Sequence, residues 1–315
     1  MADILFVKTS SLGDVIHHMP ALSDARRHRP HDHFGWVVEE AFAPLVRLHP
    51  AVDEVILVAS RRWRRALLKR DTLREIRSFM RTLRSKRYDE VVDTQGLMRS
   101  AFIMRIVRGH RHGYDAASIK ERVASMVYDV RHSVSPDLHA IERNRRLTGL
   151  ALGYVPEGPA EYGLNAAELT GPVSARYAIL FHATAEPEKE WPQQDWIALG
   201  ERLRSRNLKL LLPWGSEFEC GRSQSIADAT ANAVVPEWQP LDKMVRLIAG
   251  ASFVVGVDTG LVHVAAALKV PLVAIFTARD PELWCPIGQG QIAVVGGNGR
   301  SPPVDEVVAA IQRLA

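Results

Sequence analysis

Three segments combine residue types that move protons or hold phosphate. The first, Lys8-Thr-Ser-Ser-Leu-Gly-Asp14, follows the apolar run Ile4 to Val7. A carboxylate at the end of a strand can take the proton of an incoming hydroxyl; Asp14 also stands where a helix begins and so reads as a helix cap. Gly13 permits a tight turn or a close backbone approach to a ligand. The second segment, Val257-Asp258-Thr259-Gly260-Leu-Val-His263, is a strand-to-helix junction. Exposed amides and the helix dipole attract phosphate there and Gly260 leaves room for it, unless Asp258 or Thr259 is only a cap. In the third, His182-Ala-Thr184-Ala-Glu-Pro-Glu-Lys189-Glu-Trp-Pro192, Thr184 and Lys189 complete a set able to hold a diphosphate beside the Thr259 helix end. Lys189 lies between Glu188 and Glu190, and a solvated loop charge is its other reading.

Other chemistries lack their residues. No G-x-G-x-x-G fingerprint follows the first strand, which counts against a nicotinamide oxidoreductase, and no Walker A loop occurs. Asp-x-Asp is absent, so a diphosphate would be neutralised by protein cations and helix dipoles. No metal site and no cofactor are expected: His28, His31 and His33 fall in a polar turn, and His17 and His18 are adjacent, not one helical turn apart.

Strands and helices must alternate to position these segments. Strands are expected at Ile4 to Val7, Phe34 to Val38, Glu54 to Val58, Glu90 to Asp93, Tyr177 to Phe181, Leu208 to Leu212, Phe253 to Val257 and Leu272 to Phe276. Helices are expected up to Arg29 and over Leu73 to Arg87, Asp195 to Arg206, Phe218 to Ala231, Leu241 to Ala249, Gly260 to Leu268 and Val304 to Leu314. Alternation at this spacing gives parallel sheets. A run rich in Pro and Gly between Val155 and Val173 separates two such arrays. The fold class is therefore α/β, two Rossmann-like domains over 1–165 and 166–315 with a ligand cleft between them, and a last helix, 304–314, that could pack back on the first domain.

The 315 residues, 47% hydrophobic and 24% charged, suit two globular domains and exclude a disordered or disulfide-scaffold chain. Two cysteines, Cys220 and Cys285, fit a reducing cytoplasm. The longest apolar stretch, Leu247 to Val257, stops at Asp258, too short to span a membrane, and Asp3 and Lys8 bracket too few apolar residues for a secretory signal. Charge is uneven: 28 basic against 21 acidic residues precede Tyr177, and 12 against 15 follow from it. Twelve basic residues lie between Arg61 and Arg87. Leu73, Ile76, Met80 and Leu83 there make a buried helical face, and Arg70, Arg74, Arg77, Arg81 and Arg84 a basic stripe. The stripe reads as a solvated face, an anionic membrane contact or a nucleic-acid contact; no nucleic-acid motif accompanies it.

These segments, with Trp36-Val-Val-Glu-Glu40, Arg61-Arg62-Trp63-Arg64, Asp93-Thr-Gln-Gly96-Leu and Pro213-Trp-Gly215, give the chain a resemblance over nearly its whole length to the lipopolysaccharide heptosyltransferases. The resemblance implies a GT-B fold and a metal-independent, inverting transfer of L-glycero-D-manno-heptose from ADP-heptose to the first Kdo of Kdo-lipid A. It makes Asp14 the general base. It places Thr184, Lys189, Asp258, Thr259, Gly260 and His263 around the donor's phosphates and heptose, and Glu219 on its ribose. It brings Ser11, Gly13, Arg61, Arg62, Lys120, Arg122, His139 and Arg143 near the acceptor. It implies an enzyme bound peripherally to the cytoplasmic face of the inner membrane, with no nucleic-acid partner. The chain departs from the family pattern at Ala185-Glu-Pro-Glu188, which is more acidic, and after Thr277, where Ala278-Arg279-Asp280-Pro281 is one residue longer. Alternative readings are a heptosyltransferase that extends an already heptosylated core, or a non-catalytic nucleotide-binding module that docks on membranes.

Overall fold

Ile4, Leu5, Phe6 and Val7 are wholly buried in the computed structural model, which describes residues 1–171 and 175–314. Such a run, with no polar alternation, suits a central strand covered on both faces. Around it β1 (Asp3–Val7), β2 (His33–Glu39), β3 (Glu54–Val58), β4 (Arg87–Asp93), β5 (Arg108–Tyr114) and β6 (Val130–His132) form one open sheet in the order β3-β2-β1-β4-β5-β6. Every pairing in it is parallel.

A second parallel sheet repeats this plan. It consists of β7 (Tyr177–Phe181), β8 (Lys209–Leu211), β9 (Ala233–Val234), β10 (Phe253–Val257), β11 (Leu272–Phe276) and β12 (Ile292–Gly296), in the order β12-β11-β10-β7-β8-β9. Counted from β7, this is the order of the first sheet. It is the order of dinucleotide-binding domains, in which the chain reverses direction between the first and fourth strands and ligands collect outside their carboxyl ends. The chain divides into two compact units between Gly163 and Leu164. Pro172 and Val173, the end of the expected linker, lie outside the described residues.

In the second unit Trp191 and Trp196, ring centroids 5.0 Å apart, anchor a core with Ile275 and Leu199. The closing helix Val304–Arg313, for which a return to the first domain is expected, places Val307, Ala310 and Ile311 in that same core. Helix Gly260–Ala267 packs tightly on β10: a Cβ at Gly256 would stand 2.6 Å from Val262 Cγ1, so no larger residue fits there without movement.

Two of the elements that differ from expectation do so for visible reasons. The basic helix spans Arg70–Ser85 and buries Thr72, Phe79 and Leu83, whereas Leu73 is exposed. Its inward face is set by Phe79, which packs on Trp63 at 5.6 Å. Strand β5, Arg-Gly-His-Arg-His-Gly-Tyr, has no apolar alternation and is missed by a search for hydrophobic runs. No helix among the described residues is long and apolar enough to cross a membrane.

Candidate active site

At the carboxyl end of β1 the chain passes through Lys8 to Ser11 and enters helix Leu12–His28. Ser11, not Asp14, is the N-cap. Asp14, three residues on, accepts from the Ser11 N–H at 2.9 Å and from the Ser11 hydroxyl at 3.0 Å, as the acidic half of a capping box does. Its side chain remains 38% exposed, and Lys8 Nζ lies 3.6 Å from its Oδ1. Burial acts to raise the Asp14 pKa, but Lys8, the Ser11 donors and Lys120 outweigh it and hold the carboxyl below its ordinary range. Asp14 is thus an ionised carboxylate reachable from solvent.

The loop after β4 fixes this arrangement. Gln95 Oε1 accepts from the N–H groups of Thr9 and Ser10 at 3.0 and 3.2 Å, and Lys8 Nζ donates to the Thr94 carbonyl at 2.9 Å. Buried Asp93 holds the loop, accepting from Gln95 N, Gly96 N and the Tyr128 hydroxyl at 2.8, 3.2 and 2.8 Å. Gly96 adopts φ +66°, where a side chain would be strained. Asp93 and Gln95 are positioning residues to which the sequence reading gave no individual role; their signal was the segment Asp93-Thr-Gln-Gly96 itself.

The expected acceptor residues separate into two groups. Lys120 acts on the charge of Asp14, and Arg143 acts on that of Lys8. Arg143 donates to the Ser118 carbonyl and lies over the Tyr114 ring at 4.8 Å, while its buried Nε has no hydrogen-bond partner among the described residues. His139 caps helix Ala140–Leu152 and meets His17 of the Asp14 helix edge to face at 5.5 Å. Arg62, by contrast, is bound to Glu40 through two bonds of 2.9 and 3.0 Å and to Glu75 at 2.8 Å. Arg61 lies over Phe42 at 5.3 Å, and Arg122 is exposed on the short helix Arg122–Val127.

In the second unit, Thr184 after β7 and Asp258 after β10 flank the corresponding reversal. Thr184 Oγ1 donates to the Asp258 carbonyl at 3.1 Å. Lys189 is no solvated loop charge: it is 6% exposed, with Nζ 3.1 Å from Asp258 Oδ2 and paired with Glu186. Arg279 binds both oxygens of Glu186 at 2.8 and 3.0 Å and approaches Asp258 Oδ2 at 3.8 Å. Glu186, in the loop after β7, and Arg279, in the turn after β11, therefore meet each other. Lys189 and Arg279 hold the Glu186 carboxyl below its ordinary range through hydrogen bonds and charge. Thr259 opens helix Gly260–Ala267, in which His263 is buried. Glu219 stands in the first turn of helix Glu217–Asp228 and accepts from the Gly215 N–H at 2.6 Å.

Two open parallel sheets of nucleotide-binding order, each with polar residues gathered at its reversal point, define the chain as a two-domain, GT-B-type glycosyltransferase. It belongs to glycosyltransferase family 9, the heptosyltransferases, whose family model matches residues 76–310. Lipopolysaccharide heptosyltransferase 1 of Escherichia coli K12 is 40% identical over 293 residues, covering 92% of each chain. That of Pseudomonas aeruginosa PAO1 is 43% identical over 294 residues, covering 92% of this chain and 82% of that one. Among solved structures, E. coli heptosyltransferase WaaC with ADP superposes with a TM-score of 0.93 at 36% identity, covering 99% of this chain and 100% of that one. The same enzyme with ADP-2-deoxy-2-fluoro heptose gives 0.89 at 37% identity, with the same coverage.

Proposed function

We propose that this heptosyltransferase transfers L-glycero-D-manno-heptose from ADP-heptose to the first Kdo of Kdo-lipid A, with inversion and without a metal ion. The observation that carries the reading is the division of charge. The first unit offers a solvent-reachable carboxylate held ionised, and the second a buried lysine beside a helix N-terminus. Displacement at an anomeric carbon needs both, one for the attacking hydroxyl and one for the leaving diphosphate.

In the reaction a Kdo hydroxyl oxygen bonds to the heptose anomeric carbon as the bond from that carbon to the diphosphate oxygen breaks. The hydroxyl proton passes to Asp14 and the bonding electrons leave on ADP. A single displacement from the face opposite the leaving group inverts the configuration. Lys189, Arg279 and the amides at Gly260 receive the diphosphate, which takes the place of the Glu186 carboxylate on the two cations. Thr184, Asp258, Thr259 and His263 surround the donor's phosphate and heptose, and Glu219 holds its ribose. Ser11, Gly13, Lys120, His139 and Arg143 hold the acceptor, and the unpartnered Nε of Arg143 supports an anionic group there. Arg61, Arg62 and Arg122 belong to its outer approach.

The acceptor is lipid-linked, and the first unit suits contact with lipid. Arg70, Arg74, Arg77, Arg81 and Arg84 are all exposed. Beside them lies a cavity of about 320 Å³ walled by Val58, Trp63, Leu67, Ile76, Phe79 and Phe102. Basic side chains around an apolar opening favour reversible attachment to an anionic surface, with the protein on the cytoplasmic face of the inner membrane. The test is Asp14→Asn: it is expected to bind ADP-heptose as the wild type does and to lose at least about 100-fold in turnover. Near-normal turnover would remove Asp14 from the chemistry.

A further inference from the structure

The two-residue period of a strand places His110 and His112 of β5 on one face. Glu90 of β4 is in register with His110, just beyond an irregularity in the pairing between Arg87 and Glu90. Its Oε2 lies 2.6 Å from His112 Nε2 and 3.3 Å from His110 Nδ1. One ligand atom from each of the three side chains falls within 4.8 Å of the others. Behind them His112 Nδ1 is 2.9 Å from His132 Nε2 on β6, with the ring planes 8° apart.

We propose that Glu90, His110 and His112 bind a divalent first-row transition ion, zinc being the type case, and that His132 orients His112 toward it. Two imidazoles and one carboxylate suit zinc, iron, nickel or copper, whereas magnesium and calcium favour all-oxygen sets. Three protein ligands leave further positions for water. With metal–ligand bonds of about 2.0–2.2 Å, tetrahedral ligand atoms stand roughly 3.4 Å apart. The Glu90–His110 spacing already meets this, and Glu90 and His112 need part by less than about 1 Å. His112 is 7% exposed and anchored, while His110 is 52% exposed and open to an ion arriving from solvent. When the Nδ1–H of His112 donates to His132, its Nε2 lone pair is left for the metal, the outer-shell arrangement that ligating histidines use. The site lies three residues before Asp93, about 10 Å along β4, and none of its residues takes part in the transfer described above.

The test uses the full chain, stripped with EDTA and then freed of chelator. Titration with Zn²⁺ by calorimetry should show one equivalent bound, Co²⁺ should give visible absorption bands of low-coordinate cobalt, and Zn²⁺ should raise the melting temperature. His110→Ala, at an exposed position, and Glu90→Gln should abolish that equivalent. His132→Ala should weaken it by about 10- to 100-fold, and His28→Ala should bind as the wild type does. Absence of a saturable equivalent in the wild type, or its persistence in both His110→Ala and Glu90→Gln, would overturn the site and leave the cluster a hydrogen-bonded network.

Discussion

Asp14 has one task that the structure shows, in the capping box, and one that is proposed, as the base, and they separate experimentally. As the N3 residue of a capping box it ties down the Ser11 amide, and Asn at this position keeps an acceptor while losing the attraction to Lys8. Because the carboxyl is partly exposed, that loss should cost less than about 1 kcal/mol, visible as a small drop in melting temperature. As a base it must be deprotonated, and its pKa is held below the ordinary carboxylate range. The base is therefore active above that pKa and is lost only as pH falls through it. The kcat/KM profile should accordingly be flat from about pH 7 down to pH 5, given an ordinary Asp pKa of about 3.9. An acid limb centred near pH 6 to 7 would assign the base to a histidine instead. The sequence showed a carboxylate at a strand end but not which residue caps the helix, because Ser11 and Asp14 are both acceptable caps and only the backbone decides between them.

The loop after β7 acts as a unit with the turn after β11. Lys189 and Arg279 converge on Glu186, so the diphosphate proposed to bind there would have two cations to gain and one carboxylate to displace. Charge-assisted hydrogen bonds contribute roughly 1.5–3 kcal/mol, so Lys189→Ala should weaken ADP binding by about 10- to 150-fold in calorimetry. Glu186→Gln should tighten it, since the competing charge is gone; unchanged or weaker binding would mean that Glu186 does not compete with phosphate. This pairing was not legible in the sequence, where Glu186 and Arg279 are 93 residues apart and each looked like a local departure. On the basic helix, replacing Arg77, Arg81 and Arg84 with Gln should reduce binding to anionic vesicles and its salt dependence, with turnover on a delipidated acceptor nearly unchanged. Loss of that soluble turnover would give the stripe a different role.

At the scale of the molecule, the buried central strands β1, β7, β10 and β11 were readable because each is an uninterrupted apolar run. Strands β5, β6 and β9 were not, being polar or only two to three residues long and held by neighbours distant in sequence; β12, Ile292–Gly296, is apolar and was missed as well. The missing strands hid the grouping of Glu90, on the expected β4, with His110, His112 and His132, whose proximity depends on register across β4, β5 and β6. In the proposed reaction Lys189, Arg279 and helix amides neutralise the diphosphate, so EDTA should leave transfer unchanged; magnesium-dependent rescue after chelation would refute this neutralisation scheme. The most direct test of the account offers the purified chain ADP-heptose with either Kdo-lipid A or an already heptosylated acceptor and follows the products by mass spectrometry. The expected products are Kdo-lipid A carrying one added heptose and released ADP, with that rate at least about 100-fold lower in Asp14→Asn. No transfer to Kdo-lipid A, or transfer only to the heptosylated acceptor, would contradict it.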